Sequence, residues 1–90
     1  MNDLKYEQIP ERILTALKAW NDRAQWPGDF LRCVLSNDLM GAMGRADLEC
    51  RAALPAITAY IYNHMRADCH GSPERMLEFA EAMWRADDAD

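Results

Sequence analysis

Apolar residues recur at every third or fourth position along nearly the whole of this 90-residue chain, and no stretch alternates with period two for long. That spacing puts the apolar side chains of each segment on one face of a helix, and such faces must be buried against one another. The expected fold is all-α, a compact bundle of four to five short helices. Residues 1–90 form a single helical domain, with 1–8 and 87–90 frayed.

Punctuation sets the segments. Pro10 suits the first position of a helix, where its missing N–H has no partner to lose. Ile13, Leu14, Leu17 and Trp20 then make one stripe, extended by Ile9 and Ala24, and Trp26-Pro27-Gly28 ends it with turn chemistry. Asp29 is placed to cap a second helix through Phe30, Leu31, Val34 and Leu35. An unbroken helix onward to Ala46 would set Asp38 and Arg45 into the apolar face of Leu31, Val34, Leu35 and Ala42. Ser36-Asn37-Asp38 is therefore read as a break, with Asn37 or Asp38 capping a new helix; the alternative is a partly buried Asp38–Arg45 pair.

A further helix is expected from about Asp47 to His64, burying Cys50, Ala53, Leu54, Ile57, Tyr60 and Ile61. Pro55 inside it predicts a kink or a boundary between two helices. Arg66–Gly71 reads as a loop. Ser72-Pro73-Glu74 supplies an N-cap, a proline at the first helical position and an acid in the first turn. Met76, Leu77, Phe79, Ala80, Met83 and Trp84 line one side of this last helix, while Glu74, Glu78, Glu81 and Arg85 form a solvated face. The predicted core holds Trp20, Phe30, Leu35, Ile57, Ile61, Phe79 and Trp84.

Composition narrows the function classes. Half the chain is hydrophobic and 28% is charged, which is a globular balance, and no apolar run approaches the ~18 residues that span a bilayer. The start, Met1-Asn-Asp-Leu-Lys-Tyr-Glu, has no signal-peptide pattern, so a soluble protein of the cytoplasm, without a membrane partner, is expected. Cys33, Cys50 and Cys69 are odd in number and form no Cys-x-x-Cys, which suits a reducing compartment. The net charge of −5 and only two lysines disfavour nucleic acid, leaving a helix-turn-helix reading of Phe30–Ala46 as a weaker third choice.

Nothing in the chain spells a reaction. Cys69-His70 with His64 and Cys50 matches no standard zinc spacing, and Gly41-Ala-Met-Gly44 lacks the lysine and preceding strand of a phosphate loop. No Ser or Cys stands in a recognisable nucleophile motif, so the expectation is a non-enzyme with no catalytic residue, cofactor or metal. The stretch Asn37–Asp47 stands out instead. Asn37, Asp38, Arg45 and Asp47 are set among Gly41, Ala42, Gly44 and Ala46, where small side chains let a partner's backbone approach and polar groups orient it. These four are the candidate partner-binding residues. The bland alternative has Asn37 and Asp38 capping a helix and Arg45 pairing with Asp38 or Asp47.

Pro27-Gly28-Asp29-Phe30-Leu31-Arg32-Cys33-Val34-Leu35-Ser36-Asn37-Asp38-Leu39, followed by Gly44-Arg45-Ala46-Asp47, resembles a family of small uncharacterised proteins encoded by tailed phages and prophages. The resemblance runs from Ile9-Pro10 through Ala59-Tyr60-Ile61-Tyr62 to Gly71-Ser72-Pro73-Glu74. Where the family carries Gly-Gly before the Phe, this chain has Gly28-Asp29. The resemblance implies an accessory phage protein that works by binding inside the bacterial host, inhibition of a host defence or other host enzyme being one such mode. The alternative is a regulator or packing partner of the phage's own replication or assembly machinery.

Overall fold

The computed structural model describes residues 6–88, which contain five α-helices and no strand. These are α1 (Glu11–Arg23), α2 (Asp29–Leu35), α3 (Leu39–Arg45), α4 (Leu48–His64) and α5 (Pro73–Asp88). Two 3-10 turns complete them, Tyr6–Gln8 against α4 and Ala67–Cys69 against α5.

Trp20, fully buried on α1, centres the core. Its ring lies 4.7 Å from that of Trp26 and 5.1 Å, edge-on, from that of Phe79, and its indole N–H donates to the Cys69 carbonyl at 2.8 Å. Leu17, Leu35 and Ile57 are buried around it, so α1, α2, α4 and α5 all contribute. Burying one such side chain is worth roughly 1.5–3 kcal/mol, enough that losing two threatens a domain of this size.

The helix boundaries follow local chemistry, sometimes one residue from the expected place. Pro10 is an N-cap rather than the first helical residue, and Gly28 caps α2, which makes Asp29 its first residue and not its cap. Helix α1 stops at Arg23, before Trp26-Pro27-Gly28, because Ala24 turns left-handed at φ 53°. Gly28 itself stays at φ −69°. The expected break at Ser36-Asn37-Asp38 is present. Asn37, at φ 67°, donates its N–H to the Val34 carbonyl at 3.1 Å, and Asp38 donates to the Cys33 carbonyl at 2.8 Å. This pair of bonds closes the end of α2 in a Schellman motif. Gly71, at φ 121°, takes a conformation that side chains rarely adopt and donates to the Leu35 carbonyl at 2.7 Å, tying the loop before α5 to α2.

Some expectations are corrected. Of the kink or boundary expected at Pro55, the boundary is absent: α4 runs as one helix from Leu48 to His64. Pro55 and Arg51 are both exposed, so water can serve the Arg51 carbonyl that a proline leaves without an N–H. Trp84 and Leu77 are not core residues. They are 43% and 50% exposed, because the inner face of α5 is taken by Met76, Phe79 and Ala80, and Phe30 is only half-buried. Of residues 1–8, expected to fray, Tyr6–Gln8 form a 3-10 turn. Tyr6 sets its ring edge-on to Tyr60 (5.7 Å) and His64 (5.0 Å), and Asn63 donates to its hydroxyl at 3.2 Å. At the other end residues 87 and 88 continue α5, while 1–5 and 89–90 lie outside the described residues.

Candidate partner-binding surface

Each of the four candidate residues has a local structural assignment. Asn37 ends α2. Asp38 caps α3, its Oδ1 accepting the Gly41 N–H at 2.9 Å. Asp47 caps α4, its Oδ1 accepting the Cys50 N–H at 2.7 Å, and its Oδ2 meets Arg12 Nη2 at 3.0 Å. Arg12 reaches Glu49 as well, at 3.2 Å. The N–H of Cys50 holds the Asp47 carboxyl below its ordinary value, with Arg12 adding to the effect.

Arg45 departs from both of its expected pairings. Among the described residues it makes no ion pair with Asp38 or Asp47; its Nη1 reaches only the Gly41 carbonyl on its own helix, at 3.4 Å. Asp47 is occupied by Arg12, and the Asp38 carboxylate is turned onto the N-terminus of α3. Nor do the four residues converge. Asn37 and Asp38 edge a small hollow of about 70 Å³ with Leu39, Leu54 and Thr58. Arg45 and Asp47 line a separate groove of about 320 Å³ with Arg12, Phe30 and Cys50. The two indentations are lined from opposite ends of α3, Leu39 at one and Arg45 at the other.

What lies on α3 between these ends is apolar and exposed. Ala42 is its one buried residue, whereas Leu39, Met40 and Met43 are 65%, 82% and 36% exposed. Positions 39, 40 and 43 fall on one side of a helix, away from Ala42. Leu48, at the start of α4, is 82% exposed. A stripe reading of the sequence passes over these residues because they belong to no buried face. The available signal was an apolar residue that no stripe accounts for, three times within one turn and a half.

Cys33, Cys50 and Cys69 are free, burial raises the Cys50 thiol, and burial pushes Cys69 up to about 11. Thiols held neutral in this way are poor nucleophiles. Burial, helped by Arg75, lowers His70. His64 packs against Tyr6 and Tyr60, and among the described residues no group of three or more His, Cys, Asp or Glu side chains is placed to hold a metal ion. Among the same residues no helix is long and apolar enough to cross a membrane. No family model, curated protein or solved structure matches the chain.

Proposed function

We propose that this chain is a small accessory protein, phage- or prophage-encoded, that acts inside the bacterial host by binding another protein, with α3 as the docking face. The reading rests on one observation: Leu39, Met40, Met43 and Leu48 stand exposed within a short segment whose ends carry Asp38, Arg45 and Asp47. Large apolar side chains gathered in water mark a contact surface. Methionine suits such a face because its unbranched, polarisable side chain adapts to the shape it meets. The polar groups at the two ends then fix orientation. No catalytic residue and no cofactor enter this proposal.

The test is affinity capture from host lysate, with and without phage infection, comparing the parent chain with a Met40→Lys/Met43→Lys double variant. Both side chains are exposed, so folding is expected to survive the change. Retention of a defined protein by the parent and its loss by the variant supports the proposal. Identical retention by both sinks it. Whether the retained protein is host- or phage-encoded separates action on the host from a role in the phage's own machinery.

A further inference from the structure

A second exposed apolar feature lies on α5, and it is flanked by acidic residues that α3 lacks. Leu77 and Trp84 are two helical turns apart, which places them on one line along the helix. Leu77 also borders a groove of about 310 Å³ whose other walls are Pro73 and Met76 of α5 and Trp26, Arg32 and Ser36. Arg32 is already engaged, its guanidinium stacked 4.6 Å over the Trp26 ring. Alongside the Leu77–Trp84 line, Glu74 and Glu81 repeat at the same two-turn interval and are exposed. The α5 sequence holds Glu74, Glu78, Glu81, Asp87 and Asp88 against Arg75 and Arg85 alone, and Arg85 Nη2 pairs with Glu81 Oε2 at 3.7 Å.

We propose that this face of α5 receives a basic amphipathic helix of another protein. Two exposed apolar side chains a two-turn step apart can be met by apolar residues at the same spacing on a second helix lying alongside. The acids flanking that line select for lysine or arginine on the incoming helix, and they speed its encounter. The same acids argue against other occupants. A second copy of this chain laid parallel would bring Glu74 and Glu81 against acids of its own kind, and an anionic lipid surface or a nucleic acid would be repelled. The surface is separate from α3, so this proposal stands or falls independently of the one above.

The experiment uses the whole chain and a pair of synthetic helical peptides. Both carry leucine at a and d positions of a heptad repeat; one has lysine and the other glutamate at the flanking positions. Binding is followed by the slowed tumbling of a labelled peptide. The lysine peptide is expected to bind and the glutamate peptide not to. Glu74→Lys/Glu81→Lys should weaken the lysine peptide by roughly tenfold or more, as should Trp84→Ala with all charges kept, while Met40→Lys leaves it unchanged. Circular dichroism of each variant shows that the helices persist. Failure of the lysine peptide to bind overturns the proposal. So does binding that is indifferent to Trp84→Ala, since attraction by net charge alone would behave that way. A dimer of the parent chain dissolved by Trp84→Ala would also overturn it, by assigning the face to a second copy.

Discussion

Arg12 and Asp47 tie α1 to the start of α4. One carboxylate oxygen of Asp47 caps α4 while the other meets the Arg12 guanidinium at 3.0 Å. Both side chains are more than half exposed, so the pair itself adds little in water. The cap is the larger part.

Asp47→Ala is therefore expected to lower the melting temperature more than Arg12→Ala. The carboxyl is depressed in the folded state by the Cys50 N–H first and by Arg12 after it. A depressed folded-state value means that its stabilisation is complete above the ordinary aspartate range, about pH 4, and is lost as pH falls through the lower folded value. The gap in melting temperature between the parent and Asp47→Ala should be constant near neutrality and close progressively below about pH 4. A gap that widens in acid would contradict the assignment.

Arg45→Ala should leave the melting temperature nearly unchanged, within about 0.5 kcal/mol by denaturant unfolding. The basis is that Arg45 is exposed and touches only the carbonyl of Gly41, at 3.4 Å. A loss of the roughly 3–5 kcal/mol typical of breaking a buried ion pair would show that it has a partner elsewhere.

The two glycines of α3 should respond in opposite directions. A Cβ at Gly41 would collide with the Asp38 carboxylate, would lie 2.9 Å from Cys33 Sγ, and would displace the cap. At Gly44 nothing stands within 4 Å. Gly44→Ala is expected to stabilise by roughly 0.5–1 kcal/mol, since alanine has less freedom to lose in a helix. Gly41→Ala should destabilise, as thermal melts of the two variants would show.

Trp20→Phe removes one hydrogen bond in the core together with part of a buried ring. It keeps an aromatic ring beside Trp26 and Phe79 but leaves the Cys69 carbonyl without the indole N–H 2.8 Å away. The expected cost is about 1–3 kcal/mol in denaturant titrations. Trp20→Ala, which leaves a much larger cavity, should cost roughly 3–5 kcal/mol. Equal effects would mean that the lost hydrogen bond carries the cost and the remaining ring packing adds little.

The helical class and the break before α3 were legible because both depend on neighbours in sequence. Stripe spacing and the Ser-Asn-Asp run state them directly, as Ser72 does for α5, where its hydroxyl accepts the Arg75 N–H at 3.1 Å. What the sequence left open depends on distant partners. Nothing near Asp47 names Arg12, whose side chain arrives from 35 residues away, and so Arg45 was the natural but mistaken partner. The exposure of Trp84 was hidden for a related reason: Met76, Leu77, Phe79, Ala80, Met83 and Trp84 form a stripe wider than the core it meets. Spacing says which side chains share a face, but not how much of that face the other helices cover. The same limit concealed Met40 and Leu48.

Helix α3 has seven residues and buries only Ala42. So short a helix cannot sustain itself in water, and a single alanine gives it little apolar surface to lose on opening. Its backbone hydrogen bonds should therefore exchange with solvent through small local openings, while α1, α4 and α5 exchange only when much more of the molecule lets go. The segment that displays Met40 and Met43 is thus also the one able to rewind or unwind by a turn without disturbing the rest. Adaptation to a contact can be confined to it, on a scaffold that stays closed.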